Sequence, residues 1–410
     1  MSKEATRFKQ TGIGELPEGW EVKKLSEIAI IKQGGKLGLT KKDYVSEGYP
    51  AFSATGQDGF VSVYEYEGEA IILSSIGAQC GKCFYATGKW TTLANTQIIF
   101  VNPKIANTLF IFYQVNRPNF WIRSGSAQPF IHPSDVKNAK VIIPPLEEQR
   151  RIAGVLRLVD RVAEETKRII NIYERAKKFA LKHLLTRGIG HTRFKHTEIG
   201  KLPEEWEVVR LGDVATLEME QIPVSALPED TLYVGMEHIE SNTGRLITDK
   251  LPTVRNIKGL VFQFTPDHIL YGKLRPYLNK VWRPHFSGVC STELVPIRCD
   301  EKQIDGNYLK FWLLSPMFVV YAKKFSEGTR MPRVNLKALI NAPIPLPSLE
   351  EQKQIAEMLG TIDAAIENER RYLGVLEKCK KWMLDNLLTG KVRLPPEVDE
   401  ILKGVLPDAL

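Results

Sequence analysis

The chain has 410 residues, 43% hydrophobic and 25% charged, an ordinary globular composition that suits two or three compact units and excludes a disordered or fibrous chain. Lys and Arg number 56 against 48 Asp and Glu, a net +8, which permits a polyanionic partner without requiring one. No run of about 18 apolar residues could span a bilayer, residues 1–7 lack the apolar stretch of a secretory leader, and five cysteines, an odd number, suit a reducing compartment, so the expected location is the cytoplasm.

The first element met is one half of a repeat. Residues 6–22, TRFKQTGIGELPEGWEV, return as residues 192–208, TRFKHTEIGKLPEEWEV, 186 positions later with 13 of 17 residues identical. A second block, LEEQRRIA from Leu146, returns as LEEQKQIA from Leu349, a shift of 203 that holds from Gly125 with Gly328 to Leu185 with Leu388. The second half therefore carries 17 extra residues between the two blocks. The chain is a variable domain and a helix, twice over.

Between the repeated ends, residues 20–145 and 206–346 alternate short β-type runs, such as Ala70-Ile71-Ile72-Leu73 and Leu260-Val261-Phe262-Gln263-Phe264, with glycine and proline turns. Helices are expected near 109–116 and 307–314, giving two mixed α/β domains. Their loops hold the polar groups suited to duplex DNA: Arg and Lys reach guanine edges or phosphates, and Gln and Asn reach adenine edges. In the first domain these are Lys36, Gln57, Arg123 and Gln128. In the second they are Lys273, Arg275, Tyr277, Asn279 and Lys280, clustered in one loop, with Arg330 and Arg333 in another. The first domain has no evident counterpart of the 273–280 loop.

Residues 146–187 contain no proline and one glycine, Gly154, and predict a long helix. Its apolar side steps by three and four through Ile152, Val155, Val159, Val162, Thr166, Ile169, Tyr173, Ala176 and Ala180; the second copy repeats this with Ile355, Met358, Ile362, Ala365, Glu369, Tyr372, Leu376, Cys379 and Met383. That mean period of 3.5 is the period of a supercoiling seam, with Thr166 and Glu369 as its polar interruptions. Ser348 and Glu351 read as a capping box, and Gly188 and Gly390 as helix stops. About 40 residues make a rod of roughly 60 Å. We expect the two copies to pair antiparallel, dividing the chain into domain 1–145, helix 146–187, domain 188–346, helix 347–390 and tail 391–410.

The order of these blocks resembles the specificity subunits of type I restriction–modification systems. Three features carry the resemblance: the Leu-Pro-x-x-Trp opening of each half (Leu16, Leu202), the Pro-Leu-Glu-Glu-Gln start of the first helix with the Leu-Glu-Glu-Gln of the second, and the Leu-Leu-Thr-Gly close at Gly390. The resemblance implies two α/β target-recognition domains separated by a pair of long antiparallel coiled-coil helices, with pseudo-twofold symmetry and the chain ends near each other. It further implies that each domain reads one half of a gapped double-stranded DNA target. Two modification subunits would dock on the helices and restriction/translocase subunits would join them. S-adenosylmethionine, ATP and Mg2+ would belong to those partners, and this chain would bind no cofactor or metal.

Catalytic patterns are not found in the sequence. The Pro-Pro pairs at Pro144 and Pro395 lack the Asn/Asp and aromatic neighbours of an adenine methyltransferase motif. The 77–83 segment, GAQCGKC, is one residue short of a phosphate-binding loop and ends in Cys83 where Ser or Thr should stand. Cys80 and Cys83 find no partners at zinc-site spacing and read as small residues near a glycine turn. The rivals are a methyltransferase or nuclease acting alone, and a coiled-coil scaffold that never touches DNA.

Overall fold

The computed structural model describes residues 7–405 except 126 and 249. Thr6 of the repeat, Ser126 of the 123–128 loop and the last five tail residues thus lie outside the described residues. The chain forms two compact units, one from Met1–Lys167 with Arg371–Leu410 and the other from Arg168–Arg370. Each unit holds one variable domain, the first half of one long helix and the second half of the other.

In the first unit a hairpin (Phe8–Thr11 with Gly14–Pro17) leads to a strand, Glu21–Lys24, that pairs with Lys140–Ile143 and so ties the start of the domain to its end. A four-stranded antiparallel sheet follows in the order Ala29–Gln33, Thr96–Val101, Ala70–Ser74, Cys83–Ala86. The strand Ala70–Ser74 is buried along its whole length, which explains its unbroken apolar run. A second sheet, Gly56–Val61, Tyr49–Ser53, Lys89–Thr92, Tyr66–Glu67, contains one parallel pair, Tyr49–Ser53 with Lys89–Thr92. The helix Thr108–Val115, capped by Asn107 accepting from the Phe110 amide, covers the first sheet.

The second unit repeats the plan. Its hairpin is Phe194–Thr197 with Gly200–Pro203, its closing pair Glu207–Arg210 with Pro343–Leu346. The inner sheet runs Ala215–Leu217, Leu294–Cys299, His268–Gly272, Val281–Trp282; the outer runs Gln221–Pro223, Leu260–Phe264, Gly288–Ser291, Tyr233–Val234, again with one parallel pair. Asp305 caps the helix Gly306–Leu314, and an added helix, Pro316–Lys324, follows it. From Ser74 with Gly272 to Asn107 with Asp305 the two domains match at a shift of 198, so the 17 extra residues fall in two places. Twelve precede the strand His268–Gly272, and five accompany the added helix.

The long helices span Leu146–Arg187 and Leu349–Leu387, and each stops at a glycine in the left-handed region, Gly188 (φ +64°) and Gly390 (φ +71°). They run antiparallel. In the first unit Ile152, Ala153 and Leu156 share a core with Leu387 and Leu388, and Lys380 pairs with Asp160. In the second, Leu181, Leu184 and Leu185 share a core with Ile355, Ala356 and Leu359, and Lys177 pairs with Asp363 at 2.5 Å. These two ion pairs are the same pair in the repeat, both residues shifted by 203.

The seam is shifted by one residue from the expected one at every second step. The inner line passes through Leu156, Ala163, Ile170, Lys177 and Leu184, and through Leu359, Ile366, Leu373, Lys380 and Leu387, alternating with Ile152, Val159, Thr166, Ile355, Ile362, Leu376 and Met383. Val155 and Val162 are half-buried beside this line, whereas Ile169, Met358 and Tyr372 are exposed. Tyr173 sits at a seam position but at its open edge. The capping box is likewise only half formed: Ser348 accepts from the Glu351 amide at 3.3 Å, but the Glu351 carboxylate is engaged elsewhere.

Candidate nucleic-acid interface

Two residues of the Leu-Glu-Glu-Gln motif fix each domain to its helix. Glu148 accepts from the Trp20 indole at 3.1 Å, and Glu351 from the Trp206 indole at 3.0 Å. Gln149 accepts from the Asn107 amide and donates to the Pro144 carbonyl; Gln352 does the same with Asp305 and Pro347. Each glutamate has a second partner from the segment that follows the other copy of the helix. Arg393 holds Glu148 at 2.8 and 2.9 Å, and His191 lies 2.9 Å from Glu351. The glycine stops allow this closure, since a Cβ on Gly390 would fall 2.4 Å from Pro17 and one on Gly188 2.4 Å from Glu351.

On this frame the 273–280 loop joins two antiparallel strands of the inner sheet. Among the hydrogen bonds that hold its backbone are Gly272 N to Lys280 O, Arg275 N to Pro332 O, Leu278 N to Arg275 O, and Val334 N to Lys273 O. The first domain has the same loop, contrary to expectation, in residues 75–82. There Ser74 N donates to Lys82 O, Gly77 N to Pro129 O, Cys80 N to Gly77 O, and Ile131 N to Ser75 O. The bridges Ile76–Phe130 and Leu274–Arg333 correspond as well. Gly77 and Gly81 (φ +97° and +92°) occupy the places of Arg275 and Asn279 (φ +50° and +46°). The segment that resembled a short phosphate loop is thus a hairpin connection with no helix behind it, and its thiols are structural: Cys80 donates to Ser75 O, and burial lifts Cys83 to about 12.

The sequence-derived residues divide accordingly. Asn279 is buried and donates to Leu314 O at 2.9 Å, and Lys280 donates to Met236 O at 2.7 Å, with burial lowering its pKa. Both serve the loop's own architecture, a correction to their reading as contacts. Arg333 is exposed but bound by Glu293 at 2.9 Å. Tyr277 and Arg330 are exposed, Lys273 and Arg275 half-buried, and the Arg275 Nε is buried without a partner among the described residues. Arg123 and Gln128 are exposed on the segment that backs the 75–82 loop. Lys36 and Gln57 are also exposed, but on other elements: the turn after Ala29–Gln33 and the edge strand Gly56–Val61. Gln79 and Lys82, at the places of Tyr277 and Lys280, do not stand out in the sequence, because the two loops share a hydrogen-bond pattern and almost no residues.

A duplicated α/β frame carrying two unlike loop sets defines a two-module recognition protein. The family model for the type I restriction modification DNA specificity domain matches twice, over residues 17–174 and 203–378, and the chain belongs to that family. It is 29% identical to the type I restriction enzyme MjaVIII specificity subunit of Methanocaldococcus jannaschii, over 94% of this chain and 96% of that one. It is 27% identical to the type I restriction enzyme EcoDI specificity subunit of Escherichia coli, over 83% and 81%. Its fold is similar to the crystal structure of the type I S subunit from M. genitalium, with a TM-score of 0.64, 15% identity, and coverage of 90% of this chain and 96% of that one. Among the described residues no helix is long and apolar enough to cross a membrane.

Proposed function

We propose that the chain supplies the sequence specificity of a type I restriction–modification complex and performs no catalysis itself. Each variable domain reads one half of a gapped double-stranded DNA target, and the helix pair sets the gap. The observation that carries this reading is one hydrogen-bonded loop frame present twice and decorated differently, Tyr277 and Arg330 on one copy and Gln79 and Arg123 on the other. Identical frames give both readers the same pose toward the duplex, while unlike side chains let them select different bases.

Two modification subunits dock on the helices, and restriction/translocase subunits complete the complex. S-adenosylmethionine, ATP and Mg2+ belong to those partners, and the complex works in the cytoplasm. Docking is supported by an apolar ridge outside the seam in each unit. Ile172 and Phe179, 62% and 70% exposed, lie seven residues apart in one unit; Val375 and Trp382, 61% and 53% exposed, are their repeat equivalents in the other. Equivalent ridges fit two copies of one partner.

The test is to remove or add one seam repeat of about seven residues in both helices and to map methylated adenines in cells carrying the complete system. The gap should change while both half-site sequences persist. An unchanged gap would sink the ruler, and loss of salt-sensitive, sequence-dependent DNA binding by the wild-type complex would favour a mere scaffold.

A further inference from the structure

We infer that Gln79 is a specificity-determining residue of the first domain, standing where Tyr277 stands in the second. The inference rests on the recognition role proposed above. At the shift of 198 that aligns the two loops, Gln79 falls on Tyr277, the most outward side chain of the 273–280 loop. The chain direction, the flanking strands and four backbone hydrogen bonds are the same in both loops, so the two side chains leave the frame from the same point.

The surroundings of Gln79 point to a ligand with base-edge and phosphate chemistry. Among the described residues, the side chains of Gln79, Lys82 and Arg123 have no hydrogen-bond or ion-pair partner, whereas Lys280 and Arg333 of the second domain are both engaged. Arg123 lies over the loop: a Cβ at Gly81 would be 3.0 Å from its Nε, and Gly81 has φ +92°. Glycine at 81 therefore supplies the turn and leaves room for the guanidinium beside the loop apex. Beneath the apex, the buried Cys80 thiol donates to Ser75 O and holds the loop from inside. A half-buried amide on a fixed loop that also carries Lys82 and lies under Arg123 matches a duplex: the cations meet phosphate or guanine, and the amide can bond adenine N6 and N7 together.

Methylome mapping of the assembled system decides the matter, with assembly of each variant complex checked by size. Gln79→Ala should relax the preference at one base pair of one half-site about tenfold and leave the other half-site intact. Tyr277→Ala should do the converse. Gln79→Glu should move the relaxed position toward cytosine, whose N4 amino group a carboxylate accepts, a change that a merely structural role cannot produce. The inference fails if Gln79→Ala and Gln79→Glu leave the motif unchanged, weaken all sequences alike, alter the half-site that Tyr277 reads, or abolish methylation in an assembled complex. A wild-type system that yields no gapped motif would instead overturn the recognition role itself.

Discussion

The two units are alike where they hold themselves together and unlike where they face outward. Trp20 with Glu148 and Trp206 with Glu351 are the same bond, Gln149 and Gln352 make the same two contacts, and Lys380–Asp160 and Lys177–Asp363 are the same ion pair. The loops at 75–82 and 273–280 share a backbone but not a side-chain set. Duplication has thus preserved the tryptophan, glutamate and glutamine that join domain to helix, whereas the loop side chains have diverged, some of them, such as Asn279 and Cys80, into contacts within their own domain. One asymmetry belongs to the frame itself. In the first unit the tail returns to the first helix, where Asp399 takes two bonds from Arg151 and Leu402 fills the notch at Gly154. The second helix carries Gln354 and Glu357 at those places.

The largest effect should come from the shared anchor. Trp20 and Trp206 are both fully buried and both donate to a motif glutamate. Truncating a buried tryptophan removes its packing and leaves a cavity, at a cost of about 3–5 kcal/mol. Trp20→Ala and Trp206→Ala should therefore destabilise to a similar degree, each with loss of hydrogen-exchange protection in its own unit. A large inequality would mean that the two anchors are not equivalent and would break the comparison at its base.

The tail gives the next effect, and only in the first unit. Asp399→Ala should cost about 1–2 kcal/mol, the worth of a charge-assisted bidentate contact near the surface. Gln354→Ala should stay within about 0.5 kcal/mol. The Arg151 guanidinium holds the Asp399 carboxyl below its ordinary 3.8. A depressed carboxylate stabilises the fold fully above its unfolded pKa and loses that contribution as pH falls through the folded value. Exchange protection of the helix Val398–Val405 should accordingly be constant above about pH 5 and decline in acid below it. Asp399→Asn should remove this dependence.

Much of this was legible in the sequence, for physical reasons that also set its limits. The doubled ends, the two long helices, their glycine stops and the α/β domains follow from repeat, period and turn chemistry. The phase of the seam did not follow. Ile169 beside Ile170 leaves two candidate lines, and the true one runs through Lys177, a charge that hydrophobic periodicity disfavours. Lys177 is tolerated because Asp363 pairs with it and the Thr243 carbonyl lies 3.4 Å away. The role of Glu148 was hidden because it joins Trp20 and Arg393, both far away along the chain. The 75–82 loop was invisible as a twin because backbone hydrogen bonds leave little trace in residue identity. Asn279 shows the converse error: a residue with the right chemistry for a base is spent on Leu314.

The smallest effect tests whether the outward positions are held for recognition at the expense of stability. Arg275 adopts φ +50°, where its twin Gly77 is a glycine, and its Nε is buried without a partner among the described residues. A left-handed conformation costs a non-glycine residue roughly 1–2 kcal/mol, and an unsatisfied buried donor adds to that. Glycine returns about 0.5–1 kcal/mol through the greater freedom of the unfolded chain. Arg275→Gly should therefore raise stability by about 1 kcal/mol, or about 2–4 °C in the melting of a unit of this size. The same change should blur one half-site in the methylation pattern and spare the other. Gly77→Arg in the first unit should destabilise by a comparable amount. If Arg275→Gly lowers the melting point instead, the arginine belongs to the frame rather than to the readers, and the division between conserved interior and divergent surface would have to be redrawn at this loop.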